Sequence, residues 1–296
     1  MNWKQTLFWS FSAAAIFYYF LLFGVFVFVG QEEMQLFIPE WWYIREFLFQ
    51  PGGFCAVAGQ WIIQYYRQPM SAVVFHTVLL VGCGFMVYRI LRCFSDKTYL
   101  LFLSLLPVLY LVKMSIHGEY LVDGTVGVVL MLLALSVSLK VRRAGSIAGY
   151  GIASTLFLCG LTGLLSVCYA FLYTLLALLR YKTSRQRLAA SACLIPALFI
   201  YLFSGWLGIP VPLSDGWMPE AYLEIQRLPH YYMYRVWTFF TLSIVGVALF
   251  ARFVPVIGEK SKWMDRVALV VCLITVLVSI RFCLPEPWHA QRMMLD

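Results

Sequence analysis

Two short clusters carry most of the side chains in this sequence that could do chemistry. Glu32 and Glu33 follow the first apolar stretch. Further on, Ser115-Ile116-His117-Gly118-Glu119-Tyr120 with Asp123-Gly124 sets one His and two carboxylates close together. Adjacent carboxylates can hold a divalent cation or take a proton from an acceptor hydroxyl. If a helix begins near Glu119, Glu119 and Asp123 stand at i and i+4 and share a face. Asp123 is then about 6 Å further along the axis. Glu32, Glu33, Glu119 and Asp123 are therefore the candidate catalytic residues. Glu32 and Glu33 are also the candidate metal ligands, and a divalent cation is the cofactor they would take. His117, His230 and Arg235 are candidates for binding substrate, since an imidazole can exchange a proton and a fixed guanidinium can hold a phosphate. The plain alternatives are solvated acids at a helix end and an arginine that snorkels to the membrane surface.

The segments between these positions decide where they stand. Hydrophobic residues make up 62% of the 296 residues and charged residues 12%, where a soluble domain carries about 25% charge. Mean hydropathy is +0.82. An ordinary globular enzyme is excluded, and an all-α, polytopic, integral membrane helical bundle is predicted. A bilayer core needs about 20 helical residues. Candidate spans are 5–29, 70–91, 98–116, 120–140, 146–160, 163–180, 188–207, 235–256 and 263–284. They predict a single transmembrane domain over 1–296 with about nine crossings. The first is too long for a signal-peptide core of about 7–15 residues. The 8 cysteines include no CxxC. Most fall in the spans, so they read as small packing residues and not as a zinc site or disulfide framework. The formal net charge of +8 is spread over short loops, which membrane orientation explains without nucleic acid.

Lys and Arg concentrate in alternate loops. They are Lys4; Arg89, Arg92 and Lys97; Lys140, Arg142 and Arg143; Arg180, Lys182, Arg185 and Arg187; and Arg252, Lys260, Lys262 and Arg266. The positive-inside rule places these in the cytoplasm. Of the 14 acidic residues, only Asp96, Glu259 and Asp265 accompany them. Basic loops flank 146–180 on both sides, so that region must cross an even number of times. A hairpin of two short helices turning near Gly160–Gly163 satisfies this. The N-terminus is then cytoplasmic, the C-terminus lies outside, and the candidate acids share the outer face. His76 sits within a span, about 9 Å below that face.

The first outer loop, 31–69, opens on Glu32-Glu33 and continues through Phe37, Trp41, Trp42, Tyr43, Phe47 and Phe49 to Pro51-Gly52-Gly53. Aromatic rings of this kind collect in the headgroup layer. Beyond it, Phe54, Val57, Ala58, Trp61, Ile62 and Tyr65 follow helical spacing, with Gln60, Gln64 and Arg67 on the opposite face. This predicts an interfacial helix over 54–66 that does not cross the bilayer, either as an anchor or as a cover for a site.

The stretch Glu32-Glu33-Met34-Gln35-Leu36-Phe37, then Tyr43, Gln50-Pro51-Gly52-Gly53-Phe54 and Gln64-Tyr65-Tyr66, resembles a family of polytopic proteins from Bacteroidota known as domain of unknown function 6057. The likeness is closest over residues 15–75. It implies a bacterial inner membrane, with the C-terminus periplasmic, and family members usually carry a soluble region after the last span. Members commonly have Gln in place of Glu33 and an acid in place of Trp42, so the resemblance assigns no role to those two positions. It implies no activity. A looser similarity is to GT-C membrane glycosyltransferases, which also have an acidic motif after the first span and surface helices in the first outer loop. In them such acids bind a divalent metal or activate the acceptor; Glu32 and Glu33 match by position.

Three functions remain open. The first is a GT-C-like transferase acting on a lipid-linked donor at the outer face. Its pocket would be lined by Glu32 or Glu33, Glu119, Asp123 and residues 215–231, with Lys113 and Arg235 at the right depth to balance the acids. The second is a non-catalytic scaffold anchoring an outer soluble domain. A transporter ranks last, since the sequence shows no internal repeat and no charge in the middle third of any span. Membrane lipid and a lipid-linked substrate are the expected partners. No Walker loop, GxSxG, HExxH or dinucleotide fingerprint occurs.

Overall fold

The computed structural model describes residues 3–34, 37–97, 99–116, 120–203, 228–258 and 270. Every regular element among them is a helix. The first apolar stretch forms α1 (Trp3–Phe23) and α2 (Val25–Met34). The two are broken at Gly24 but bridged by hydrogen bonds from the Gly24 N–H to the Phe20 carbonyl and from the Phe28 N–H to the Gly24 carbonyl. The helical run thus continues past residue 29 and carries Glu32 and Glu33 on its last turn, not in a loop.

There follow α3 (Trp41–Leu48), α4 (Gly53–Ile63), a 3-10 turn (Gln64–Arg67) and α5 (Pro69–Leu91). Next are α6 (Leu100–Leu103), α7 (Leu105–Ser115), α8 (Val122–Ser138), α9 (Ala144–Thr162) and α10 (Leu165–Arg180). Last are α11 (Ser184–Ser191), α12 (Leu194–Leu202) and α13 (Leu228–Gly258). Two expected spans are interrupted, 98–116 at Ser104 and 188–207 between Ser191 and Leu194. Prolines explain both. A proline lacks the N–H that would bond the carbonyl four residues back, and its ring crowds that carbonyl. For Pro107 and Pro196 those carbonyls belong to Leu103 and Ala192, where the helices stop.

Among the described residues, three helical segments are long and apolar enough to cross a membrane: Gln5–Phe23, Pro69–Leu91 and Ala144–Thr162. Leu100–Ser115, Val122–Ser138, Leu165–Arg180 and Val236–Arg252 are shorter and apolar. Large side chains face outward along them, with Phe11 78%, Val78 64% and Phe157 69% exposed. Outward apolar side chains of this kind suit contact with lipid.

At the centre, α8 packs against α4, α5, α9 and α10. It buries Val122, Thr125, Val128, Met131, Leu132 and Leu135. The expected hairpin is present. α9 runs to Thr162, Gly163 turns the chain with φ +62° and ψ −128°, and α10 returns. The Gly52 N–H, in a residue itself at φ +85°, donates to the Gly160 carbonyl at 3.1 Å. Gln31 Nε2 donates to the Tyr120 carbonyl at 3.1 Å. These bonds gather the end of α2, the 50–53 turn, the start of α8 and the hairpin turn at one end of the bundle. α3, α4 and the 3-10 turn cover that end as a cap. At the other end, Tyr181 Oη donates to the Val141 carbonyl and Gln186 Nε2 to the Arg142 carbonyl, each at 2.7 Å. The basic loops meet there.

Candidate functional site

The cap end holds the predicted residues that the structure describes. Glu32 is half-buried and Glu33 exposed, on the last turn of α2. Carboxylates there face the negative end of a helix dipole, which disfavours each by about 0.3–1 kcal/mol. Helix stability alone does not select that position. Gln31, one residue earlier, is buried against Tyr120, so the acidic turn is tied to the segment that leads into α8.

Asp123 stands in the first turn of α8, where the dipole favours a carboxylate. Its Oδ1 accepts the Gly124 N–H at 2.7 Å. The Gly124 carbonyl accepts Trp237 Nε1 from α13 at 3.3 Å. Above Asp123 lies α4, and the closest approach is at Gly59. A Cβ at that position would lie 2.6 Å from Asp123 Cβ and 2.9 Å from its Cα and backbone nitrogen. Only glycine lets the two backbones come so near, which is how small residues act at membrane helix crossings.

This seat shows how the expected helix over 54–66 is placed against the bundle. The segment is helical, and at 11 residues α4 is too short to span a bilayer. Its buried residues are Gly53, Cys55, Gly59, Ile62 and Ile63, with Tyr66 following in the 3-10 turn. Phe54, Trp61 and Tyr65, expected to anchor it, point outward at 41%, 47% and 44% exposure. Gln60 and Gln64, expected to face away, are bonded within the cap. Gln60 Oε1 accepts Tyr43 Oη, and Gln64 Nε2 donates to the Phe37 carbonyl, both at 3.1 Å.

Beside Asp123 sits a pair that sequence reasoning did not place in the site. Tyr66 Oη lies 2.6 Å from His76 Nε2 in a fully buried contact between the cap and α5. The imidazole stacks on Phe28 with centroids 4.3 Å apart and planes at 9°, and Phe20 closes another side at 5.4 Å. Burial, and then the Asp123 carboxylate, push both the Tyr66 hydroxyl and the Cys55 thiol up. The arrangement is therefore one carboxylate over a dry tyrosine–histidine pair, with a second acidic turn nearby. It can take up a proton or a cation at the carboxylates, while the pair fixes the cap. The place of His76 on a long apolar helix was readable from sequence; its partner on the cap was not.

His117, Glu119 and residues 215–227 lie outside the described residues, as does the span 263–284 apart from residue 270. His230 and Arg235 fall on the first turns of α13. Among the described residues no three His, Cys, Asp or Glu side chains gather closely enough to hold a metal ion.

Residues 1–294 match the family of unknown function DUF6057, and the chain belongs to it. No curated protein and no solved structure matches the chain.

Proposed function

We propose that this chain is a multi-pass protein of the bacterial inner membrane, with a cytoplasmic N-terminus, that works as a GT-C-like transferase on a lipid-linked donor at its cap end. The observation that carries this reading is the Gln31–Tyr120 bond. It ties an acidic turn, set against its own helix dipole, to the start of α8, three residues before Asp123. Surface helices lie over that junction. In this reading Glu32 and Glu33 would hold a divalent cation, which would supply positive charge to offset that of the donor phosphate. Asp123, with Glu119, accepts the proton of the acceptor hydroxyl. The acceptor oxygen bonds to the anomeric carbon, the bond from that carbon to the phosphate oxygen breaks, and the lipid phosphate leaves. His117, His230 and Arg235 bind the substrate.

The test is turnover in proteoliposomes with magnesium or manganese and a panel of polyprenyl-phosphate sugars. Release of polyprenyl phosphate is the readout. Asp123→Asn and the double change Glu32→Gln with Glu33→Gln are expected to lower it at least about 100-fold, the lower range for loss of a general base. Turnover unchanged in both variants, or none with any donor, would overturn the reading. A non-catalytic scaffold is the second reading, favoured by the close packing of α4 on Asp123. It predicts outer-face protein cross-links that survive Asp123→Asn.

A further inference from the structure

At the basic end, residues 139–143 and 180–187 form one corner. Three side-chain bonds to main-chain carbonyls hold it: Tyr181 Oη to Val141, Gln186 Nε2 to Arg142, and Arg187 Nε to Tyr181 at 2.8 Å. The corner gathers Lys140, Arg142, Arg143, Arg180, Lys182, Arg185 and Arg187. The sequence has no Asp or Glu between Asp123 and Asp215. The acid of the neighbouring 92–97 turn, Asp96, is paired with Arg92 at 3.2 Å. Among the described residues no other acid belongs to these loops, and like charges gathered in such number repel one another.

Two hydrogen-bonding facts sharpen this. Arg180 Nη1 is buried and has no hydrogen-bond partner, and an unmade bond at a buried donor is costly. The N-terminus of α11 is also uncapped. The Thr183 hydroxyl donates to Gln186 Oε1 at 2.8 Å instead of accepting from the helix. The Thr183 carbonyl takes the N–H groups of Gln186 and Arg187. A tetrahedral dianion or monoanion would satisfy both deficits, since guanidinium and helix N–H groups both suit phosphate oxygens.

We propose that this corner is a phosphate-binding site with Arg180 as its central ligand, flanked by Lys182, Arg185 and the start of α11. The phosphate comes from an anionic lipid headgroup or from a soluble phosphate. The site is distinct from the cap end and stands or falls without the transferase reading.

The experiment is native mass spectrometry of the full chain released from nanodiscs of phosphatidylcholine with or without phosphatidylglycerol, beside a titration with inorganic phosphate followed by thermal unfolding. Wild type is expected to retain phosphatidylglycerol over phosphatidylcholine. Arg180→Gln is expected to weaken that retention about tenfold, and Arg180→Lys less, because lysine keeps the charge but loses the planar fork. Arg92→Gln, on the neighbouring turn, is expected to change nothing. Displacement of the lipid by millimolar phosphate, with an equal thermal shift, assigns the site to a soluble phosphate; no displacement assigns it to the lipid. Equal retention of both lipids by wild type with no response to phosphate overturns the proposal. An equal loss in Arg92→Gln and Arg180→Gln also overturns it. If Arg180→Gln does not fold, the wild-type comparison and Arg180→Lys decide.

Discussion

The two ends of the bundle are closed by different chemistry. At the cap end, helices meet through missing side chains and buried side-chain pairs: Gly59 on Asp123, Gly52 on Gly160, Tyr66 on His76. At the basic end, the loops are stitched by Tyr181, Gln186 and Arg187 reaching main-chain carbonyls, and the remaining cations stay outside the stitching. A glycine contact fails as soon as a carbon is added. A stitch to a carbonyl leaves a solvated or replaceable group when it is cut. The cap end should therefore be brittle and the basic end tolerant.

The strongest way to break the contrast is Gly59→Leu. The added atoms meet the Asp123 backbone, and overpacking of this kind costs about 3 kcal/mol. α4 should lift, and Cys55 should become reactive to maleimide when followed by peptide mass spectrometry. In wild type its thiol is pushed up by burial and by Asp123, so little of the thiolate nucleophile exists near neutral pH. Unchanged protection of Cys55 in Gly59→Leu would show that the helices do not meet there. His76→Phe keeps the ring stack but strands the Tyr66 hydroxyl. A loss of about 2–3 kcal/mol is expected in denaturant unfolding, and the double change with Tyr66→Phe should recover part of it.

Smaller effects sharpen the comparison. Gly163→Ala forces an L-residue into φ +62°, ψ −128°, worth about 1–3 kcal/mol, and should raise protease sensitivity in the hairpin turn and the cap together. At the basic end, Tyr181→Phe removes one bond to the Val141 carbonyl and should cost about 1 kcal/mol. Arg92→Ala removes an i, i+4 pair whose side chains are 53% and 84% exposed. It should shift stability by less than about 0.5 kcal/mol. A basic-end change that outweighs Gly59→Leu would reverse the assignment of brittle and tolerant ends.

Much of the frame was legible in the sequence. Apolar length and charge alternation located α5 within a residue at its start, and the paired basic loops forced the hairpin that Gly163 makes. The positions of the breaks at Ser104 and Ala192–Cys193 were not placed from sequence, because a proline marks the carbonyl four residues back and not its own position. The seating of α4 was not legible for a different reason. A helical period identifies an apolar face but not which apolar medium it meets. With lipid outside, Phe54, Trp61 and Tyr65 can turn outward while Cys55 and Gly59 allow close packing. In the site, Asp123 stood out by its motif. The Tyr66–His76 pair depended on how the two helices that meet at Gly24 bring Phe20 and Phe28 around one imidazole, and a tertiary enclosure of that kind leaves no linear trace.

The bond between Gln31 and Tyr120 joins residues 89 apart in the chain. A ribosome adding about 5–20 residues per second needs roughly 4–18 s to deliver the second partner after the first. During that interval the cap segment has left the ribosome, but the surface that receives it does not yet exist. In the proposed membrane placement the outward Phe54, Trp61 and Tyr65 would give it a place to wait among the lipid headgroups, so the order of synthesis, and not only the finished packing, would call for those rings.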